Sequence, residues 1–193
     1  MVAVELHGTQ ADMMDRTMFG YSPGGGTSVL MRHADWMFLD MVLATKPEWT
    51  NLVETGTYYG LTSLYLGVIA ELRGGVLHTF DISDQRRPEV IATWPDNIHY
   101  CNADVLENTN SEVLRWAKKP YTFLFLDDGD KMAEAHTYCK HLSVGSGCII
   151  HDCGLEWQEK DMDYLIKAYN LTPFLRDVAL ELGTSCRAFV RTQ

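Results

Sequence analysis

The sequence predicts an α/β protein with a doubly wound, mostly parallel sheet that ends in an antiparallel hairpin. Three observations lead to this prediction. Five short β-rich runs alternate with segments of helical periodicity. Residues 121–126 are nearly all apolar, as expected of a central parallel strand that is buried on both faces. After the last helix, two β-like runs flank Gly183 and Thr184, a pair that is typical of a hairpin turn.

The individual elements follow from local patterns. Apolar residues at helical spacing predict a helix before Pro47, with a stripe formed by Leu30, Ala34, Met37, Phe38, Met41 and Val42. A strand from Asn51 leads through a glycine-containing turn into a helix over residues 61–72. Further strands are predicted at residues 76–81, 97–101, 121–126 and 147–150, and further helices at residues 111–118, 132–142 and 161–169. The final β-like runs are residues 174–182 and 185–191.

Length and composition indicate one domain. The chain has 193 residues, of which 46% are hydrophobic, and we assign residues 31–193 to this domain. Residues 1–30 contain several glycines and no periodicity, which predicts an N-terminal arm or lid. No apolar run approaches the ~20 residues that span a bilayer, and no secretory signal is recognisable. Five cysteines without C-x-x-C spacing indicate reduced thiols, so we expect a soluble cytoplasmic protein.

The charge of the chain restricts its partners. The formal net charge is -10, and the basic clusters are as small as Arg86-Arg87 and Lys118-Lys119. Nucleic acid and membrane surfaces are therefore not expected as partners, because both attract basic patches. The composition favours a small-molecule substrate, and it leaves open whether two chains pair as a homodimer.

Residues 51–62 (Asn-Leu-Val-Glu-Thr-Gly-Thr-Tyr-Tyr-Gly-Leu-Thr) predict a strand, a tight turn and the first turn of a helix, which is an arrangement that binds cofactors. A dinucleotide fingerprint requires glycine where this chain has Tyr58, so NAD is disfavoured. Glu54 would repel a pyrophosphate but could hold a cation. S-adenosylmethionine carries an ammonium group and no phosphate, which makes it the favoured cofactor.

Polar side chains follow each predicted strand. Ligands of open α/β sheets bind outside the carboxyl ends of the strands, so these residues should share one site. A carboxylate at Asp81, where the second strand ends, can accept two hydrogen bonds from a ribose diol. Asp104 follows the third strand, and its alternative role is to cap the next turn.

The pattern Glu54-x-Gly56-x-x-x-Gly60 resembles motif I of the class I S-adenosylmethionine-dependent methyltransferases. The fold of that family is a Rossmann-like sheet with the same terminal hairpin, so the resemblance extends from about residue 31 to residue 191. It implies a ribose site at Asp81 and an adenine site at Asp104. The cofactor-binding residues that it implies are Glu54, Gly56, Thr57, Tyr58, Gly60, Thr62, Asp81, Ile82, Asp104, Val105 and Asp127.

Residues 127–131 (Asp-Asp-Gly-Asp-Lys) and 151–153 (His-Asp-Cys) form a second resemblance. They are similar to the paired motifs of the metal-dependent catechol and caffeoyl-CoA O-methyltransferases, and also to those of the cephalosporin-hydroxylase-like methyltransferases. The resemblance implies that Asp128 and Asp152 bind Mg²⁺ or another divalent cation, with Asp127 as a competitor for the first place. Cys153 departs from the asparagine of the catechol-type enzymes, and a thiolate favours softer metals.

The same resemblance implies a general base. The lysine of the catechol-type motif corresponds to Lys131, with His151 as a second candidate and Asp128 beside them. The alternative for Lys131 is an ion-paired lysine at a helix start. The sequence thus predicts an S-adenosylmethionine-dependent O-methyltransferase that acts on a hydroxyl of a small molecule. Its alternatives are a cofactor-binding module without turnover and an NAD-dependent oxidoreductase.

Overall fold

A computed structural model describes residues 31–107 and 111–193, and it confirms the α/β prediction. The predicted arm or lid over residues 1–30 lies outside these residues. The elements are α1 (His33–Ala44), β1 (Asn51–Thr55), α2 (Leu61–Leu72), β2 (Val76–Asp81), α3 (Pro88–Ile91), β3 (Ile98–Asn102), α4 (Ser111–Ala117), β4 (Thr122–Leu126), α5 (Lys131–Tyr138), a 3₁₀ turn (Cys139–His141), β5 (Gly147–Ile150), α6 (Glu159–Tyr169), β6 (Leu171–Phe174), α7 (Arg176–Leu182) and β7 (Arg187–Arg191).

One seven-stranded sheet has the order β3-β2-β1-β4-β5-β7-β6. Strands β1 to β5 run parallel to one another, whereas β7 runs antiparallel to both β5 and β6. The strand order reverses between β1 and β4. The connections that leave these two strands diverge there, so a crevice opens at their carboxyl ends.

Helices cover both faces of the sheet, and all five residues of β4 are buried between them. The core on one face includes Phe38 of α1 and Leu66 of α2, and the core on the other includes Val113 of α4, Ala135 of α5 and Leu165 of α6. Burial on both faces explains why β4 reads as a continuous apolar run. None of the helices in the described part of the chain has the length and apolar character needed to cross a membrane.

The predicted face of helix α1 is rotated relative to the structure. In α1, Met37 is 41% exposed, and the buried face includes Asp35 and Leu39 instead. The reason is that the carboxylate of Asp35 is drawn inward by hydrogen bonds to the segment before β7. In α2 the buried face is built around small residues, because a Cβ atom on Gly67 would lie 2.3 Å from Cδ1 of Ile98.

The antiparallel pair at the C-terminus is confirmed, but its first strand is not where the sequence predicted it. Residues 171–174 form β6, and most of the predicted strand 174–182 is helix α7. The apolar residues Val178, Ala179 and Leu182 have helical spacing, which outweighs their β propensity. Gly183 has φ +65° and ends α7 as a left-handed residue rather than forming a hairpin turn.

Candidate functional site

A cavity of about 370 Å³ lies at the carboxyl ends of β1, β2, β4 and β5. The structure brings most of the predicted site residues into its wall, namely Gly56, Thr57, Tyr58, Gly60, Thr62, Asp81, Ile82, Asp127, Asp128, Lys131, His151 and Asp152. The wall also contains Met31, Tyr59, Leu61, Ser83, Gln85 and Gly129. Three predicted residues, Glu54, Asp104 and Val105, do not line the cavity.

The first turn passes directly against the end of β4. Gly56 has φ +86°, and its amide donates a hydrogen bond to the Phe80 carbonyl over 2.8 Å. A Cβ atom at this position would lie 2.3 Å from the carbonyl oxygen of Asp127. The close approach explains why the first glycine of the motif is required. Tyr58 also has a positive φ, of +46°, and its amide points towards β2.

Asp81 connects this turn to the loop after β2. Its Oδ2 accepts a hydrogen bond from the Tyr58 amide over 2.8 Å, and its Oδ1 accepts one from the Ser83 amide over 3.0 Å. Each carboxylate oxygen keeps a lone pair for a ligand in the cavity. The next side chain, Ile82, also lines the cavity and is 59% exposed, so it provides an apolar surface beside the carboxylate.

Glu54 lies behind the cavity wall. Its carboxyl group is fully buried and accepts hydrogen bonds from the hydroxyls of Ser63 and Thr79, the latter over 2.6 Å. Its Oε1 has no hydrogen-bond partner among the described residues. Burial raises the pKa of Glu54 to about 8, so the group is neutral at pH 7. A neutral, enclosed carboxyl does not offer the ammonium site that the sequence predicted, and it braces β1 against α2 and β2.

The substitution Glu54→Gln tests this protonation state. The folded protein retains a proton on Glu54 that the unfolded chain releases above pH 4.5, the ordinary pKa of the side chain. The stability contributed by Glu54 should therefore fall by about 1.4 kcal/mol per pH unit as the pH rises from there towards 8. Urea unfolding should show that Glu54→Gln gains stability over the wild type through this window. The exposed Glu71→Gln on helix α2 is the control, and a difference that is constant with pH would contradict the assignment.

Asp104 and Val105 have local structural roles. Oδ1 of Asp104 accepts hydrogen bonds from the amides of Leu106 and Glu107, over 2.8 and 3.1 Å. This is the turn-capping alternative considered for Asp104. The side chain of Val105 is buried in the core, and its carbonyl accepts a hydrogen bond from the hydroxyl of Tyr138.

Lys131 is held by three carboxylates. Its Nζ lies 2.9 Å from Glu156, 3.1 Å from Asp152 and 3.8 Å from Asp127. Burial lowers the pKa of an ammonium group, but these carboxylates outweigh burial and raise the pKa of Lys131 above its ordinary value. Lys131 is therefore the ion-paired lysine that the sequence analysis gave as the alternative to a base. Its partners are not the adjacent acidic residues Asp128 and Asp130.

His151 lies between two carboxylates. Its Nδ1 is 2.8 Å from Asp127, and its Nε2 is 3.6 Å from Asp35, which is an ion-pair distance but too long for a hydrogen bond. Burial would lower the pKa of His151, but the hydrogen bond to Asp127 and the nearby Asp35 raise it to about 10. The imidazole is therefore protonated at pH 7 and, like Lys131, is not a free base.

Among the described residues, the group that could bind a metal at the cavity is Asp127, His151 and Asp152, whose ligand atoms lie within 4.8 Å of one another. Asp128, the first metal ligand that the resemblance implied, is not in this group. The geometry instead favours its competitor Asp127 as the carboxylate that would bind a metal together with Asp152. Asp152 has φ +59°, which turns its side chain back towards Lys131. Cys153 is buried beside Trp157 and does not line the cavity, so it does not supply the third ligand position.

Two important residues were absent from the sequence prediction. Asp35 is fully buried and accepts hydrogen bonds from Thr184 Oγ1 over 2.5 Å and from the Ser185 amide over 2.8 Å. The sequence contained one signal for Asp35. It lies three and four residues before the apolar Phe38 and Leu39, a spacing that puts all three on the same face of a helix. Glu156, the nearest partner of Lys131, lies in a loop and gave no comparable signal.

Comparisons with solved structures identify the architecture. The "cmcI-D160 Mg-SAM" structure matches with a TM-score of 0.62 and 16% identity, over 84% of this chain and 73% of that chain. This chain has the class I methyltransferase fold. Cofactor-bound Rv0187 from MTB also matches, with a TM-score of 0.53 and 14% identity, over 95% of this chain and 97% of that one.

An S-adenosylmethionine dependent methyltransferase from Mesorhizobium loti also matches, with a TM-score of 0.51 and 15% identity, over 82% of this chain and 98% of that one. No protein-family model and no curated protein matches the sequence.

Proposed function

We propose that this protein is an S-adenosylmethionine-dependent methyltransferase that methylates a hydroxyl group of a small molecule. The observation that carries the proposal is the wall of the cavity at the crevice between β1 and β4. Four carboxylates line it, those of Asp81, Asp127, Asp128 and Asp152. A phosphate-bearing cofactor would be repelled there, whereas S-adenosylmethionine brings a sulfonium and an ammonium group and has no phosphate.

We infer one direction for the cofactor along the wall. Asp81 is held by two backbone amides and would accept hydrogen bonds from the ribose diol. The exposed Ile82 would cover the adenine ring, and the amino-acid end would lie against the turn from Gly56 to Gly60. The neighbours whose structures are described as Mg-SAM and cofactor-bound support a cofactor-binding role for this chain.

Asp128 is the group that we assign as proton acceptor. Lys131 and His151 are held protonated by their carboxylate partners. Asp128 lines the same cavity, and no cationic side chain of the described residues lies within 4 Å of it. Burial raises the pKa of Asp128, which brings a carboxylate closer to the range suited to general-base catalysis. Methyl transfer is an in-line displacement, so the wall must also align the hydroxyl with the sulfonium.

The proposal also includes a divalent cation that assists methyl transfer. Carboxylate oxygens are the donors that Mg²⁺ prefers, and Asp127 and Asp152 present them to the cavity beside His151. The donors fit, but the ammonium of Lys131, 3.1 Å from Asp152, lies where it would compete with an ion. Asp127 and Asp152 would hold the ion, which would lower the pKa of the acceptor hydroxyl.

Chelation tests this part separately. We expect EDTA to reduce methyl transfer and Mg²⁺ to restore it, while cofactor affinity changes little because the ribose and adenine contacts do not involve these carboxylates. Lys131→Met should strengthen Mn²⁺ binding, measured by electron paramagnetic resonance without any substrate, because it removes the competing ammonium. The exposed Lys160→Met on α6 is the matched control. If neither EDTA nor Mg²⁺ changes the rate of methyl transfer, the proposed cation is refuted.

The cofactor assignment is tested by Asp81→Ala. Loss of charge-assisted hydrogen bonds worth about 1.5–3 kcal/mol should weaken S-adenosylmethionine binding roughly tenfold to a hundredfold in calorimetry. Asp84→Ala, three residues on and outside the cavity wall, is the control. Thermal unfolding of both variants separates binding from folding, because Asp81 also holds two amides. Equal affinity of Asp81→Ala and the wild type would refute the placement.

A cofactor-binding module without turnover is the second candidate. The observation that favours it is the pairing of Lys131 and His151 with carboxylates, which leaves both predicted bases protonated. Single-turnover methyl transfer to a panel of catechols and other small hydroxyl compounds distinguishes the two functions. Binding of NADH, followed by its fluorescence, would instead support the oxidoreductase alternative, which Tyr58 disfavours.

A further inference from the structure

A second charged surface lies at the opposite end of the strands from the cavity. It is formed by the segment before β4 and by the connection between α5 and β5. We call it the amino-edge surface, and its members are Lys118, Lys119, Tyr121, Lys140, His141 and Val144. The two segments are joined because the hydroxyl of Ser143 donates a hydrogen bond to the Lys118 carbonyl over 2.7 Å. This hydrogen bond brings the two segments together at the same edge of the sheet.

The lysines of this surface have no acidic partners among the described residues. Within residues 31–107 and 111–193, no carboxylate lies within 4 Å of the ammonium groups of Lys118, Lys119 and Lys140. This is unexpected in a chain with 26 acidic and 16 basic residues. Burial lowers the pKa of His141, and the nearby ammonium groups of Lys118 and Lys140 lower it further. The unpaired charge is available to an anionic partner.

The charge of Lys119 is held in place by an aromatic stack. Its Nζ lies 3.4 Å from the centroid of a ring of Trp116, and His78 stacks on the same indole at 3.8 Å. A cation over an indole is stabilised by the ring quadrupole. The ammonium therefore occupies a defined position instead of sampling many rotamers, which reduces the entropy that a partner must overcome on binding.

Tyr121 adds an exposed ring at the cost of backbone strain. It has φ +56°, a conformation that costs a non-glycine residue about 1–2 kcal/mol. The side chain is 53% exposed, and Val144 is 62% exposed. The backbone is held by the amides of Thr50 and Asn51, which donate to the Tyr121 carbonyl over 3.2 and 3.4 Å. Asparagine or glycine would satisfy this turn with less strain, so folding alone does not explain a tyrosine.

We propose that the amino-edge surface binds an acidic segment of a partner protein that also carries an aromatic or large apolar side chain. Carboxylates of the segment would pair with Lys118, Lys119 and Lys140, and its apolar side chain would pack on Tyr121 and Val144. The five residues of β4 separate this surface from the cavity by about 16 Å, so a bound partner leaves the cavity open.

Charge selects a protein segment over nucleic acid. A nucleic acid duplex carries a charge every ~1.7 Å, so it extends beyond a patch of three lysines. It would then be repelled by the rest of the surface, because the chain has a net charge of -10. A short acidic segment ends within the patch. The proposal is independent of the function proposed for the cavity, and its test needs neither cofactor nor methyl acceptor.

Fluorescence anisotropy tests the charges with a short fluorescein-labelled peptide of Glu and Asp that contains one Phe. We expect binding that weakens as salt is raised, and at least a tenfold loss in the double variant K118E/K140E, where repulsion replaces attraction. The variant K160E/K167E makes the same charge change on the exposed face of α6 and is the matched control. Equal affinity in both variants would refute the proposal.

Tyr121→Asn separates binding from folding. Asparagine tolerates the positive φ better than tyrosine, so thermal unfolding should show equal or higher stability, while peptide binding weakens severalfold. Unchanged peptide binding in this variant would overturn the role of the ring. A single-stranded RNA of equal charge that binds more tightly than the peptide, and loses affinity in K118E/K140E, would overturn the protein partner in favour of nucleic acid.

Discussion

Asp128→Asn should lower the rate of methyl transfer by about 10²–10⁴, the range expected when a general base is removed. The change preserves the shape of the side chain and its hydrogen bond from the Gly129 amide, which lies 2.9 Å away. Cofactor affinity should change little, because the proposed ribose and adenine contacts belong to Asp81 and Ile82. Rates under saturating S-adenosylmethionine, together with calorimetric affinities, measure the two effects separately.

Asp130→Asn is the matched control for this experiment. It removes the same charge two residues away, at the N-cap of α5, where Asp130 accepts a hydrogen bond from the Ala133 amide and does not line the cavity. Raising the Mg²⁺ concentration distinguishes two roles for Asp128, because excess ion rescues a weakened ligand but does not replace a base. Turnover close to wild type in Asp128→Asn would contradict both roles.

Gly56→Ala should be the most damaging substitution in the first turn. Its Cβ atom would lie 2.3 Å from a backbone oxygen of Asp127, which cannot yield as the end of a flexible side chain could, and the residue has φ +86°. Clash and strain together should cost about 3–5 kcal/mol in the free energy of unfolding. The end of β4 must then move, so cofactor affinity should fall as well.

Gly145→Ala isolates the contribution of strain. Gly145 has nearly the same φ, +84°, but a Cβ atom there has nothing within 4 Å among the described residues. We expect a cost of about 1–2 kcal/mol and no loss of cofactor affinity. Urea unfolding and calorimetry of both variants provide the comparison. Equal costs for the two substitutions would mean that Gly56 is required for its φ and not for its contact with β4.

The internal charges of the cavity explain why the two predicted bases are poor bases. The carboxylates of Asp127 and Asp152 lie close to Lys131 and His151, and each pair stabilises the protonated cation. These pairs offset the charges of Asp127 and Asp152, whereas Asp128 lies without a cationic partner within 4 Å in the described part of the chain. The proposed division of roles follows from these distances and not from the motif itself.

The sequence determined the strands, the first turn and the edge at which the site lies. Apolar runs and helical spacing are local properties, and parallel topology brings the ends of successive strands to the same edge. Gly56, Asp81, Asp128, Lys131 and Asp152 could therefore be placed together without a structure. The antiparallel end of the sheet was also predictable, although residues 176–182 have both β propensity and helical spacing, and packing beside β7 selected the helix.

Only the tertiary structure decided what the polar residues do. Glu54 and Asp104 lie at strand ends, as Asp81 does. The carboxyl group of Glu54 is enclosed by hydrogen bonds from Ser63 and Thr79. The carboxylate of Asp104 instead accepts hydrogen bonds within its own turn. Asp35 meets a segment about 150 residues away, a contact that no local pattern encodes. The direction of a side chain and the pKa of a buried group depend on partners brought together through space, so they become readable only once the chain is folded.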